Sequence, residues 1–471
     1  MTSRKQKISK SSYDIIIVGA GPAGIFAALE LIRRDNWSVL LLEKGLDLGK
    51  RQCPARDEHP VGCEIGCRPC NITCGWGGSG AFSDGKLTLS PEVGGWLSQY
   101  VGTEELERLI AYVDGIYVEY GAPQQVHGTD HGRIEAIRQQ AMQDGLRLVD
   151  APIRHMGTDR CPAVLQAMRN DINGRVEVAT RTTVSRILVE DGRAAGVELQ
   201  DGTAVRSRVV IVAPGREGSS WLVDEAAELG LEMTNNAVDI GLRVEVPAIV
   251  MEPLTDILYE SKLLYFSKSF EDEVRTFCMN PYGFVSKEAY GDVITVNGHS
   301  YSDRRSENTN FALLVSTRFT EPFKEPITYG RSIARLANLL GKDILIQRLG
   351  DLQIGQRTTE ERLERSTVEP TLKGSTPGDL SFVMPYRHLR DIMDMLEAMD
   401  KLVPGVNSRD TLLYGVEVKF YSARLELSSE LETKIENLYA VGDGAGVTRG
   451  LVQASASGVI AARAAAEKMT D

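Results

Sequence analysis

Residues 13–44, "YDIIIVGAGPAGIFAALELIRRDNWSVLLLEK", decide the fold. Ile15 to Val18 are a short β-branched run suited to a parallel strand buried on both faces. Gly19, Gly21 and Gly24 follow in G-x-G-x-x-G spacing, with Ala23 inside the turn. The first glycine permits a tight turn and the second lets the backbone approach a pyrophosphate. The third lets the following helix pack against the strand. That helix offers free amides and the positive end of its dipole to the phosphates. A second strand, Ser38 to Leu42, ends in Glu43 and is followed by Lys44. A carboxylate at that distance can accept both hydroxyls of an adenosine ribose and repels a 2′-phosphate. Strand, turn, helix and acid in this order predict a dinucleotide site.

Working outward, residues 436–469 read "ENLYAVGDGAGVTRGLVQASASGVIAARAAAEKM". This resembles the C-terminal flavin motif of FAD-dependent oxidoreductases. The resemblance implies that Gly442 and Asp443 meet the ribityl chain and that Gly450 and Leu451 lie near the flavin ring. A helix N-terminus there would stabilise negative charge at the N1–C2 edge of reduced flavin. Between the two ends, residues 174–215 alternate like a β-meander with turn signals at "EDG" and "QDG". They close with an apolar strand and Ala213-Pro214-Gly215. Flavoproteins of this superfamily carry a similar meander, which implies Gly215 at the cofactor turn and the Val184 backbone beside the adenine. FAD is therefore the expected cofactor.

The stretches "GGSGAFSDGKLTLS", "RTFCMNPYGFV" and "VNGHSYSDRRSENTNFALLVS" resemble the uncharacterised FAD-dependent dehydrogenase family of bacteria and archaea. The resemblance spans most of residues 14–466. That family is similar in fold to single-Rossmann flavoproteins such as aromatic hydroxylases, geranylgeranyl reductases and the fumarate reductase flavoprotein. It implies an α/β fold: a Rossmann-like FAD-binding domain of parallel sheet plus β-meander, with an inserted α+β substrate domain. It also implies that Gly77, Gly78, Ser79, Gly80 and Ala81 form the loop that meets the flavin. Members tend to read C-M-C-P-G-G where this chain has Cys278-Met279-Asn280-Pro281-Tyr282-Gly283, so Cys278 lacks a paired cysteine. No second G-x-G-x-x-G lies between a strand and a helix, which leaves NAD(P)H as a transient donor rather than the occupant of its own domain.

Four cysteines precede the flavin loop in the spacing Cys63-x3-Cys67-x2-Cys70-x3-Cys74, with Cys53 upstream. Three readings stand open. Cys63, Cys67, Cys70 and Cys74 could hold an iron–sulfur cluster or zinc, which is the leading reading. Cys67 and Cys70 could form a thiol–disulfide relay to the flavin. All four could be buried and inert.

The chain has 471 residues, a net charge of −12 and seven cysteines. The negative balance argues against nucleic acid or an anionic membrane as partner. An odd cysteine count without an export signal points to reduced thiols and a cytoplasmic protein, and no membrane span is expected. The expected organisation is a disordered basic tail at 1–12 and an FAD-binding domain at 13–95, 151–235 and 416–471. A helical insertion is expected at 96–150 and a substrate-capping domain at 236–415. Candidate proton donors are His299, Tyr301 and Lys86, with Asp84 beside the loop. Arg243 and Arg275 are candidate anion holders, and Gln356 and Arg357 are candidates for facing the cofactor. The expected function is two-electron transfer between FAD and a small organic substrate. The alternatives are a flavin monooxygenase and a flavin/iron–sulfur protein that serves a protein electron partner.

Overall fold

The computed structural model describes residues 8–53, 67, 69–158, 160–290, 292–301, 304–319, 323 and 325–470. Its first sheet grows from the G-x-G-x-x-G unit. Ser12–Val18 lies between Val39–Glu43 and Ala204–Val212, parallel to both, and Glu177–Thr180 extends the far edge. Leu438–Ala440 pairs in parallel with the end of Ala204–Val212, so the C-terminal motif is brought beside the N-terminal one. The meander strands Val184–Glu190 and Arg193–Leu199 continue from Ala204–Val212 in antiparallel order. Helices Pro22–Arg34, Leu451–Thr470 and Thr103–Glu119 share a core with one face of this sheet. Ser219–Glu228 packs with the meander on the other.

The second sheet has eight strands and is almost wholly antiparallel. Its centre is Val238–Pro247, flanked by Asn308–Thr317 and Leu412–Lys419. Strand alternation gives the sheet two unlike faces. Val238, Ile240, Leu242, Val244 and Val246 enter a core with helices His131–Gln143, Ala248–Leu258, Pro326–Gly341 and Tyr386–Leu402. The intervening Asp239, Arg243 and Glu245 are also fully buried, on the opposite face.

Three sequence expectations meet different boundaries. The first strand already begins at Ser12, and Ser9 donates its backbone N–H to Glu177 at 2.7 Å, so the basic tail ends earlier; residues 1–7 lie outside those described. The segment 96–150 holds helices, but its Leu146–Val149 strand pairs with Lys262–Phe266 at the edge of the second sheet. Leu412–Lys419 is one continuous strand of that sheet, so a boundary after 415 falls inside it. Among the described residues no helix is long and apolar enough to cross a membrane.

Candidate functional site

Turns far apart in the chain converge at the ends of the parallel strands. A Cβ on Gly24 would sit 1.9 Å from the Gly19 carbonyl oxygen, so helix and turn touch backbone to backbone. Gly21, at the N-cap of the helix, is the opposite case: a Cβ there would meet nothing within 4 Å. Cβ positions on Gly215 and Gly450 are likewise clear of described atoms within 4 Å. The flavin-loop residues arrive at the same place. Gly77 donates its N–H to the Ala20 carbonyl at 2.8 Å, Gly78 lies beside Gly21, and Gly80 abuts Leu451. Ser79 is exposed and Ala81 is buried. Ala23 packs against Gly442 and against Gly458 of the C-terminal helix. The predicted Gly19–Gly24, Gly77–Ala81, Gly215 and Gly442–Leu451 segments are thus one locus. Glycine turns gathered at a helix N-terminus fit the approach of a pyrophosphate to the backbone.

The individual side chains have more specific roles. Asp443 accepts from the Thr448 hydroxyl at 2.7 Å and from the Gly450 N–H at 3.3 Å. Burial raises its pKa, with Arg216 opposing. Glu43 is buried and accepts backbone N–H bonds from Ala20, Gly45 and Gly75 at 2.8, 2.7 and 2.9 Å. That uses three of the roughly four lone-pair sites of a carboxylate, leaving about one for a ribose hydroxyl. Val184 is buried at the start of its strand, two residues beyond Thr182, whose N–H meets the Glu43 carbonyl at 2.9 Å. Lys44 reaches the Glu217 carbonyl at 3.5 Å.

Of the cysteines, Cys63 lies outside the described residues. Among those described, no group of three or more His, Cys, Asp or Glu side chains is placed to hold a metal, so Cys67, Cys70 and Cys74 do not converge by themselves. Cys74 is buried, and desolvation pushes its thiol up to about 11.

The buried polar face of the second sheet contains the arginines expected to hold anions. Arg243 instead makes a two-pronged pair with Glu417, 2.7 Å at each prong, and donates to the Cys278 carbonyl and to Asn280, Asn297 and Asn310. Its donors are consumed inside the protein. Arg275 is paired with Asp239 and also donates to the Tyr421 hydroxyl at 3.0 Å. Lys419 lies 3.0 Å from Glu417 and 3.5 Å from Glu288. A buried ion layer of this kind is costly unless each member is matched, and here the members match one another.

At the seam between flavin loop and second sheet, Lys86 contacts the Met279 carbonyl at 2.6 Å, Asp84 at 3.1 Å and Glu260 at 3.3 Å. Burial alone would lower its pKa, but Asp84 and Glu260 outweigh it and raise it well above the usual lysine value. With its three N–H groups engaged, Lys86 supplies fixed charge rather than a proton. Its ammonium lies 5.7 Å from the Tyr259 ring centroid. The Tyr259 hydroxyl is 3.3 Å from His155 Nε2 and 3.3 Å from Ser300 Oγ. Ser300, between the predicted His299 and Tyr301, therefore reaches this cluster. Burial would raise the Glu288 carboxyl, but Lys419, then Arg216 and the Tyr290 hydroxyl, with His299 a smaller influence, hold it below the usual carboxylate range. Tyr301 stacks edge-on with Phe284 at 5.7 Å and beneath Arg304 at 4.2 Å. Gln356 and Arg357 are exposed and bound to Arg362. Sequence reading missed Tyr259 and His155; strand alternation around residues 299–301 was the available signal for Ser300.

Glu260 carries a pH prediction. Burial would raise its pKa, but Lys262 and Lys86 overcome this and pull it to about 2. A carboxyl depressed on folding adds stability above its unfolded pKa, and that stability is lost as pH falls through the folded value. Between about pH 4.5 and 2 the protein is expected to lose up to about 3 kcal/mol from this group. Urea midpoints measured across this range should fall less steeply in Glu260→Gln than in the parent. Equal slopes would remove the assignment.

Residues 256–420 match the family model described as FAD-dependent protein, C-terminal domain-like, and residues 379–471 match glucose inhibited division protein A. An uncharacterised protein of Clostridium beijerinckii is 26% identical over 478 residues, covering 96% of this chain and 80% of that one. Among solved structures, E. coli quinol fumarate reductase FrdA aligns at 14% identity and TM-score 0.40, over 98% of this chain and 70% of that chain. L-Proline dehydrogenase from P. horikoshii aligns at 11% identity and TM-score 0.41, over 97% and 94%. A geranylgeranyl bacteriochlorophyll reductase-like protein from Thermoplasma acidophilum aligns at 12% identity and TM-score 0.41, over 98% and 79%. Scores of this size carry no residue correspondences.

Proposed function

We propose that the chain is an FAD-dependent oxidoreductase that moves two electrons between FAD and a small organic substrate. The reading places the substrate between the glycine turns and the polar face of the second sheet. The observation that supports it is the buried ion layer of Asp239, Arg243, Glu417 and Lys419, which pays a desolvation cost that a purely structural face would avoid.

Bound FAD supplies the hydride-level chemistry. The turns Gly19–Gly24 and Gly442–Leu451, with Glu43 and Asp443, hold it, and the Gly77–Ala81 loop covers it. Lys86 fixes a positive charge beside that loop. The Tyr259 O–H, bonded to His155 and Ser300, exchanges the proton that accompanies reduction or dehydrogenation of the substrate. NAD(P)H is a transient donor in this reading, and the setting is cytoplasmic.

The test is the anaerobic absorption spectrum of the yellow protein during challenge with NAD(P)H and with panels of unsaturated and saturated small molecules. Bleaching or reoxidation by one class is expected. No response to any class would sink the reading. Iron and acid-labile sulfide in the same sample would favour the electron-transfer alternative through Cys63, Cys67, Cys70 and Cys74. That alternative is supported by the contact of Arg51 with both the cysteine segment and the flavin loop.

A further inference from the structure

We propose that Arg51 is the positioning residue of the flavin loop, setting the loop's peptide groups for FAD without serving as a ligand itself. The proposal rests on the reading that the Gly77–Ala81 loop covers FAD. Arg51 is buried, and among the described residues no carboxylate is bonded to its guanidinium. Its N–H groups instead go to four carbonyl oxygens: Asn71 at 2.9 Å, Ile72 at 2.7 Å, Trp76 at 2.6 Å and Gly78 at 2.8 Å. Burial draws its pKa down to about 10, with Glu43 opposing, so it remains a cation at neutral pH.

The acceptors run from the cysteine segment into the flavin loop, so one side chain ties these two stretches together. The far end of the loop is also held, because the guanidinium lies 4.8 Å from the Phe82 ring centroid. Glu43 acts on the complementary groups of the same stretch. It accepts from the Gly75 N–H at 2.9 Å, while Arg51 donates to the Trp76 carbonyl one residue on. A carboxylate on the amide side and a guanidinium on the carbonyl side leave these peptide planes little freedom to rotate. The fit is close enough that a Cβ on Gly75 would lie 2.7 Å from Arg51 Cδ. Only a planar fork of donors spans four carbonyls; a lysine ammonium offers three donors from one point.

In the loop so clamped, Gly78 lies directly alongside Gly21 of the glycine turn. Loss of the clamp therefore reaches the cofactor without removing any group that touches it.

The test uses full-length Arg51→Met and Arg51→Lys proteins, freed of FAD by chaotrope and titrated with FAD. Far-UV circular dichroism and apoprotein unfolding are measured in parallel. Arg51→Met is expected to raise the FAD Kd at least about tenfold. At saturating FAD it should also change the visible circular dichroism and raise the fluorescence of the bound flavin, because the ring is held less tightly. Arg51→Lys should fall between the two. A role in stability alone would lower the unfolding midpoint but leave the spectrum of saturated flavin unchanged, and that result overturns the proposal. If Arg51→Met does not fold, Arg51→Lys decides: parental Kd and parental flavin spectra overturn the proposal, and a weaker Kd with altered spectra supports it. Failure of the parent protein to bind FAD would instead defeat the cofactor reading on which the proposal stands.

Discussion

Gly21→Ala protein is expected to fold as well as the parent and to bind FAD about a hundredfold more weakly. Gly21 has φ −77° and ψ −176°, an extended conformation that alanine adopts without strain. Among the described residues other than its chain neighbours, no atom lies within 4 Å of where its Cβ would be, so the methyl group meets no described neighbour in the apoprotein. Removing glycine's extra freedom from the unfolded chain should even raise stability by about 0.4–1 kcal/mol. The methyl group does, however, fill the space in which a pyrophosphate would approach the backbone. A hundredfold loss corresponds to about 2.8 kcal/mol, which is reasonable for displacing a phosphate from amides it meets at close range. FAD titration and thermal unfolding of the apoprotein separate the two effects. Unchanged FAD affinity with unchanged stability would show that this turn does not contact the cofactor. Gly24 offers no such separation, because a Cβ there strikes the Gly19 carbonyl oxygen at 1.9 Å and forces helix and strand apart.

The second large effect concerns stability. Arg243→Met is expected to cost about 3–5 kcal/mol, the usual penalty for breaking a buried ion pair from one side. Arg243 is completely buried, and its loss leaves Glu417 with Lys419 at 3.0 Å as its remaining cation. It also strips the Cys278 carbonyl and the side-chain oxygens of Asn280 and Asn310 of a shared donor. Urea unfolding followed by tryptophan fluorescence reads the change as a lower midpoint. An Arg243→Met/Glu417→Leu double variant should recover part of the loss, since it removes the orphaned carboxylate. A single variant as stable as the parent would mean that the layer is open to water, and the enclosed polar face behind the functional proposal would go with it.

Legibility in the sequence followed the range of each interaction. Gly19, Gly21, Gly24 and Glu43 could be read because turn, helix start and acid lie within one strand–helix–strand unit. The C-terminal Gly442–Asp443 turn could be read because it repeats a local strand-to-helix form. Arg243 and Arg275 were visible as charges, but Glu417 lies on the strand next to Arg243, and Asp239 lies across Asn308–Thr317 from Arg275, in a register no local pattern reveals. Tyr259 follows a helix and gave no periodic signal, yet packing sets its hydroxyl against His155 and Ser300. Arg51 stood in an unremarked stretch, and its importance comes from four backbone carbonyls that only the folded loop gathers.

By itself, then, the order of amino acids settled that a dinucleotide turn begins this chain and that a flavin-type turn closes it, because both are short-range demands of backbone geometry and helix dipole. Only the tertiary structure decided which ions neutralise one another, which side chains meet the Tyr259 hydroxyl and which carbonyls gather around Arg51. Those choices depend on strand pairing and burial across hundreds of residues, where the cost of an unmatched charge exceeds any local preference.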